Sequence, residues 1–319
     1  EIINELDPKW IKEFKKLLND GVCELIGCGY SQIIGPLVPA KLNYENIYLG
    51  DVLYKKFLGT KPKISLVNEQ AFSQGLIQNY LKNNYQTIIT EWENSKIANS
   101  HGKESYLYFP QKLKSLEGKS INLIWNNSIN FQKFQRYAHG EYSLKEYIKF
   151  ISKKTIYGKG AISLYGNDVE IFDFRPGRYM TESKLKSESE WIRIDKLFEC
   201  LIKEKNFHFI KVSEVLKLKH LKSSNNNVEL VTSSKPISVK KQEKYNIVRW
   251  AVSGRNDIQI NTKCWQIYNH LNKISNPKKS YWKELCYLWS SDFRTHITNL
   301  RWSNYLQRLK NFENKIIIK

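Results

Sequence analysis

Residues 161–180 read AISLYGNDVEIFDFRPGRYM. The first five, Ala161–Tyr165, have the length and apolar content of a buried strand, and Gly166-Asn167 is a turn signal that ends it. Asp168, Glu170 and Asp173 follow, and Arg175 and Arg178 flank Pro176-Gly177. Carboxylates and guanidinium groups gathered at a buried strand exit are costly to desolvate unless they pair with each other or with a ligand. A salt-bridged strand exit and a substrate site both meet that demand, so the rest of the chain has to choose between them.

Working outward, the same beat recurs. Strands are expected at Val22–Ile26, Ile64–Asn68, Gln86–Thr90, Ile121–Trp125, Ala161–Tyr165 and His208–Val212. Between them, the apolar spacing predicts helices over Pro8–Asn19, Asn46–Leu58, Gln74–Leu81, Ser143–Ser152 and Trp191–Lys203. Short apolar strands alternating with helices define an α/β protein with a parallel sheet and crossover helices, open or closed into a barrel. In either form, chemistry collects beyond the carboxyl ends of the strands. Those ends read Gly29-Tyr30-Ser31-Gln32, Asn68-Glu69-Gln70, Glu91-Trp92-Glu93-Asn94, Trp125-Asn126-Asn127-Ser128 and Tyr165-Gly166-Asn167-Asp168. Ordinary turn residues would serve packing equally well, so polar and aromatic side chains at every end point to a site.

From about Lys219 to Lys244 the chain turns polar. Residues 1–218 are therefore expected to form the (β/α) barrel domain, 219–245 a polar linker or excursion, and 246–319 a helical region packed on the barrel. Within that last region, Ile247–His270 and Lys279–Phe312 have helical periodicity and carry Trp250, Trp265, Trp282, Trp289 and Trp302, which read as core.

The chain has 319 residues, 41% of them hydrophobic and 13% aromatic, enough for a proper core. No apolar run is long enough to cross a bilayer and no amino-terminal apolar segment has basic flanks, so a soluble protein is expected. Cys23, Cys28, Cys200, Cys264 and Cys286 form no C-x-x-C pair, which favours a reducing, cytoplasmic compartment. Glu1 is expected to be an internal start. A formal charge of +20 raises nucleic acid as a partner, but the lysines are spread over every segment instead of forming a block, so nucleic acid is disfavoured. An acidic polysaccharide or an anionic surface fits the charge equally well. The oligomeric state is not readable.

Aromatic side chains beside carboxylates suit a carbohydrate. Sugar rings stack on Trp and Tyr, and their hydroxyls bond to Asp, Glu, Asn, Gln and Arg. Glycosidic cleavage needs two carboxyl groups, one to protonate the leaving oxygen and one to attack the anomeric carbon or activate water. Glu69 and Asp168 are the best pair, each placed just after an expected strand. Taken singly, a helix cap explains Glu69 and an ion pair with Arg175 explains Asp168. Tyr30, Gln32, Trp92, Trp125, His139, Tyr165, Glu170 and Arg175 are the candidate substrate contacts, with Trp92 and Trp125 as stacking platforms. The histidines show no metal-ligand spacing, and Ser73 and the cysteines have no evident base partner, so neither a metal nor a cofactor is expected.

These residues carry a resemblance. ELIGCGYSQIIGPLVP (Glu24–Pro39), ISLVNEQAFS (Ile64–Ser73), TIITEWEN (Thr87–Asn94), FQKFQRYAHGE (Phe131–Glu141) and SLYGNDVEIFDFRPGRY (Ser163–Tyr179) resemble successive blocks of glycoside hydrolase family 57. VSGRNDIQINTKCWQIY (Val252–Tyr268) and YWKELCYLWSSDFRTHIT (Tyr281–Thr298) resemble blocks of its helical region. The resemblance implies an incomplete (β/α)7 barrel followed by a helical region. It also implies a retaining α-glycoside hydrolase or transglycosylase with Glu69 as nucleophile and Asp168 as acid/base. The family pattern Asp-Gly-Glu is Asp168-Val169-Glu170 here, the early His-containing block is absent, and no His stands near Tyr30-Ser31-Gln32. Those departures allow a second reading, a carbohydrate-binding or polysaccharide-assembly protein with reduced turnover on the same fold. A retaining mechanism places the two carboxyl groups about 5–5.5 Å apart. It also needs Asp168 protonated before attack, so Arg175 is expected to face Asp173 or Glu170 instead.

Overall fold

Hydrophobic periodicity explains most of the elements in the computed structural model, which describes residues 2–99, 104–154, 159–169, 171–173, 188–219, 227–228, 247–294 and 297–317. In chain order they are α1 (Ile2–Leu6), α2 (Pro8–Asn19), β1 (Ile26–Gly27), α3 (Ala40–Leu58), β2 (Ile64–Leu66), α4 (Ile77–Lys82), β3 (Thr87–Glu91), α5 (Trp92–Asn99), β4 (Gln111–Lys114), β5 (Ser120–Asn126), α6 (Ser128–Ala138), α7 (Leu144–Ser152), α8 (Glu190–Lys203), α9 (Val212–Val215), β6 (Asn227–Val228), α10 (Asp257–Lys273), α11 (Lys279–Leu288) and α12 (Asn299–Ile317). Capping sets several of the ends. Asp7 accepts from the Trp10 amide ahead of α2, Ser143 and Glu146 close a capping box on α7, and Gly59 adopts a left-handed cap after α3. Among the described residues no helix is long and apolar enough to cross a membrane.

The chain divides into two compact units. The first holds residues 1–90, 112–123 and 227–319. Its strands run in the order β1-β2-β3-β5-β4-β6, with β1, β2 and β3 mutually parallel and Ile64 paired to both Ile26 and Thr87. β4 pairs parallel to β6. β4 and β5 are consecutive across a turn closed by the Ser115 amide on the Lys119 carbonyl (2.7 Å). The core of this unit joins Ile33, Leu42 and Leu49 to Ile260, Ile267 and Leu271 of α10, Trp282, Leu285 and Trp289 of α11 and its exit, and Trp302, Tyr305 and Phe312 of α12. Trp250, Trp282, Trp289 and Trp302 are buried, as their spacing predicts, whereas Trp265 is exposed.

The second unit holds residues 91–111 and 124–226. Its core is aromatic: Phe134 and Tyr137 of α6, Tyr147 and Ile151 of α7, Phe172, and Ile194, Leu197 and Leu201 of α8.

Several expectations are corrected. Ala161–Tyr165 is half-buried but belongs to no strand. Side chains and a distant turn take its backbone groups: the Ala161 amide donates to the Tyr108 carbonyl (2.8 Å), Asn130 Nδ2 donates to the Ser163 carbonyl (3.0 Å), and Asn126 Nδ2 donates to the Gly166 carbonyl (2.7 Å). Gly166 permits that approach, since a Cβ there would lie 2.4 Å from Asn126 Oδ1. His208–Ile210 is likewise irregular and leads into α9. The helix expected over Ile247–His270 is broken by Gly254 and by Asn256, whose φ is 55°, and the one expected over Lys279–Phe312 is realised as α11, ending at Leu288, and α12, beginning at Asn299. β4, α5 and α6 are additional elements. β4, QKLK, has too few apolar residues to announce itself. Of the polar stretch 219–245, only Lys219 and the two residues of β6 are among the described residues.

Candidate active site

The candidate residues fall in both units. In the first, β2 ends at Leu66 and the Val67 amide still bonds the Ile89 carbonyl (3.0 Å). The chain then turns through Asn68–Gln70, where Glu69 (φ 49°, ψ 12°) and Gln70 (φ 50°) both adopt the left-handed conformation. For residues with a Cβ this costs roughly 1–2 kcal/mol each, so neighbouring bonds must hold it. The Gln70 amide donates to the Val67 carbonyl (2.8 Å), the Ala71 amide to Asn68 (3.1 Å), and Asn68 Nδ2 to the Ser31 carbonyl (2.9 Å). Glu69 is half-buried, and its Oε1 accepts from Ser291 Oγ (2.9 Å).

Around this corner the β1 exit loop is tied down. Asn46 Oδ1 accepts from the Ser31 amide (2.9 Å), Asn46 Nδ2 donates to the Ser31 carbonyl (3.0 Å), and the Tyr30 amide donates to the Asn46 carbonyl (2.8 Å). Gln32 exposes its side chain and offers its carbonyl to the Ser291 amide (2.8 Å). Lys283 lies over the Tyr30 ring, 5.2 Å from its centroid.

A buried polar cluster stands behind the same loop. The Tyr85 hydroxyl donates to Asp51 Oδ1 (2.8 Å), and the Cys28 thiol lies 3.2 Å from the Tyr54 hydroxyl. Burial pushes the Asp51 carboxyl and the Cys28 thiol above their ordinary ranges, which leaves Cys28 an inert thiol.

In the second unit, Asp168 is exposed on the turn after Ala161–Tyr165. Tyr165 packs its ring on Phe134 (5.1 Å) and Phe172 (5.3 Å), and its hydroxyl donates to the Asp168 carbonyl while accepting from Gln135 Nε2 (3.2 Å). The turn is closed by the Phe172 amide on the Val169 carbonyl (3.2 Å). Asp173 caps α8: its Oδ1 accepts from the Glu190 amide (2.6 Å) and its Oδ2 from Ser189 Oγ. Glu190 Oε2 in turn accepts from the Asp173 amide (2.8 Å), and its Oε1 lies 2.6 Å from His139 Nδ1. His139 is thus engaged at Nδ1 with the start of α8. Glu170 and Arg175, and with them the expected pairing of Arg175 to Asp173 or Glu170, lie outside the described residues.

Trp92 and Trp125 are corrected. They are 1% and 2% exposed and meet edge to face with centroids 5.2 Å apart, so they serve as core packing and offer no face to a sugar ring. Both residues end or follow apolar strands, and burial of the strand end carried the indoles inward. Two residues escaped the sequence reading. Glu91 is a fully buried carboxylate at the end of β3, where Oε1 accepts from the Ser128 amide (3.2 Å). Its place at a strand end was the available signal. Ser291 had none, because its role depends on a partner 222 residues away. Among the described residues no group of His, Cys, Asp and Glu is arranged to hold a metal ion.

A parallel-stranded α/β protein with a helical carboxy-terminal region, and with an acidic residue lifted out of a strand end on a left-handed corner, is the class these features define. The chain belongs to glycosyl hydrolase family 57, whose sequence profile matches residues 1–232. Its structure is similar to that of the 4-α-glucanotransferase from Thermococcus litoralis, with a TM-score of 0.74 at 13% identity over 99% of this chain and 51% of that one. It is also similar to the α-amylase AmyC from Thermotoga maritima, with a TM-score of 0.65 at 14% identity over 99% of this chain and 70% of that one. For the branching enzyme from Pyrococcus horikoshii the TM-score is 0.66 at 15% identity, over 98% of this chain and 67% of that one. The likeness establishes the fold class expected from the sequence, an incomplete (β/α)7-type barrel followed by a helical region. The chain spans about half the length of the glucanotransferase. A comparison with curated proteins returns no match.

Proposed function

We propose that this chain is a retaining glycoside hydrolase or transglycosylase acting on α-linked oligo- or polysaccharide, with Glu69 as nucleophile and Asp168 as acid/base. The observation that carries the reading is the backbone of Glu69: an acidic residue held at φ 49° immediately beyond a parallel strand, with its carboxylate oriented by a buried hydroxyl. Strain of this kind persists where neighbouring structure enforces it, and it concentrates at working side chains. Family membership supports the same chemistry.

In the first step a Glu69 oxygen attacks the anomeric carbon, the glycosidic C–O bond breaks, and the leaving oxygen takes the proton of Asp168. In the second, Asp168 removes a proton from water or a sugar hydroxyl, whose oxygen attacks the same carbon and releases the Glu69 carboxylate. Neither step requires a cofactor. The Tyr165 hydroxyl, by holding the Asp168 carbonyl, limits the wander of an otherwise exposed acid.

The test is labelling with 5-fluoro-α-D-glucosyl fluoride followed by peptide mapping. A covalent glycosyl ester on Glu69, absent from Glu69→Gln, supports the proposal. Fluoride leaves with little help from an acid, so Asp168→Ala should still be labelled but release the sugar slowly, with azide accelerating turnover. Retention of maltooligosaccharide without labelling or turnover would replace the enzyme with a sugar-binding protein, a reading that the 56% exposed Val169 beside Asp168 also accommodates.

A further inference from the structure

We infer that Ser291 is the positioning residue for the Glu69 carboxylate, supplied by the helical carboxy-terminal region to a strand exit of the amino-terminal half. The inference rests on Glu69 being the nucleophile. Ser291 is fully buried on the short helical turn Ser291–Arg294, and its hydroxyl donates to Glu69 Oε1 across 2.9 Å. A nucleophilic carboxylate must present one oxygen along the line of attack, and a donor on the other oxygen fixes its plane. It also favours the ionised form that attacks.

The donor is itself anchored on every side. The Ser291 amide bonds the Gln32 carbonyl (2.8 Å), and Ser290 forms an antiparallel bridge with Ile33. Ser31 Oγ donates to the Cys286 carbonyl (2.7 Å) at the end of α11, and Ser290 Oγ donates to Asp292 Oδ2 (3.0 Å) within the turn. Tyr305 of α12 holds the Leu288 carbonyl (2.8 Å). The Ser31–Cys286 and Ser291–Gln32 bonds thus join the β1 exit loop to Cys286–Ser291, and the same loop accepts the Asn68 side chain next to Glu69. A hydroxyl serving only to satisfy a half-buried carboxylate would need no such second layer of support.

The experiment measures the pH dependence of kcat/KM for α-D-glucosyl fluoride, together with the rate of Glu69 labelling, in the wild type, Ser291→Ala, Ser291→Cys and Ser291→Thr. Thermal unfolding of each variant establishes that it is folded, and Cys keeps the volume filled if Ala leaves a damaging gap. The expected result is a fall in kcat on the order of 10- to 100-fold for Ala and Cys, the scale of a hydrogen bond to a charged group. KM should be nearly unchanged. The acid limb should move to higher pH by about one unit, because loss of a donor to the carboxylate raises its pKa. Thr, which keeps the hydroxyl, should restore most of the rate and the position of the limb. Labelling of Glu69 in the wild type with an unmoved acid limb in both Ala and Cys would overturn the role of Ser291 alone. No labelling of Glu69 in the wild type would overturn the assignment of the nucleophile, and this inference with it.

Discussion

His139 Nδ1 and Glu190 Oε1 lie 2.6 Å apart, the same separation as Arg136 Nε and Glu141 Oε2 a few residues away, yet the two pairs differ in burial. The Glu190 side chain is 4% exposed and also holds the Asp173 amide, whereas the Arg136 and Glu141 side chains are 49% and 39% exposed. Glu190→Ala is expected to destabilise the protein by about 2–4 kcal/mol, since it removes a buried carboxylate that accepts from the Asp173 amide and faces His139 Nδ1. Glu141→Ala should cost less than about 1 kcal/mol, because water and salt already screen its partner. Urea unfolding of the two variants compares them directly, and equal costs would refute the distinction.

The left-handed conformation of Glu69 makes an unusual prediction for stability. At an ordinary site Gly is less stabilising than Ala. Here Glu69→Gly should be more stable than Glu69→Ala by about 1 kcal/mol, because Ala retains the Cβ that opposes φ 49°. Both variants lose the Ser291 bond, so it cancels from the comparison. Both should also fail to form the glycosyl ester. If Ala proves the more stable, the strained corner is wrong.

Gly166 should tolerate no side chain. A Cβ at this position would sit 2.4 Å from Asn126 Oδ1, and Asn126 also bonds the Gly166 carbonyl. Gly166→Ala is expected to cost about 1–3 kcal/mol by forcing the two segments apart. Asn126→Ala removes both the clash and the bond. The double variant should therefore cost clearly less than the sum of the singles, a coupling that a double-mutant cycle measures. Simple additivity would place Asn126 elsewhere.

Asp51 sets a pH dependence of known sign. Burial raises its carboxyl above the usual range, opposed by the Tyr85 hydrogen bond and by Lys61 and Lys63. A carboxyl whose folded pKa exceeds its unfolded value of 3.8 opposes folding when ionised, and the opposition is relieved as pH falls through the folded pKa. Asp51→Asn should leave stability within about 1 kcal/mol of wild type, or raise it, near neutral pH. The wild type should then gain on the variant as the pH falls from neutrality toward the unfolded value of 3.8. Denaturant unfolding at stepped pH checks this, and a wild type that loses ground on acidification would contradict it.

Much of this fold was legible in the sequence because helices announce themselves locally. α2 spans the residues its apolar spacing marks, α7 begins at the Ser143-to-Glu146 capping box, and α8 starts within a residue of its expected place. β2, β3 and β5 were equally visible as short apolar runs. The blocks that resemble family 57 were readable for the same reason, since each is a local pattern, and the family assignment agrees.

What the sequence by itself determined, then, was which segments are helical or apolar, where they stop, and which family they compose. Tertiary structure alone decided that Ala161–Tyr165 bonds the Tyr108 carbonyl and the Asn130 side chain, that Trp92 and Trp125 face each other, and that Glu69 occupies a left-handed corner braced by Ser291. The physical reason is range: periodicity and capping act over a few neighbouring residues, whereas the choice of a hydrogen-bond partner is made among groups that only folding brings within reach.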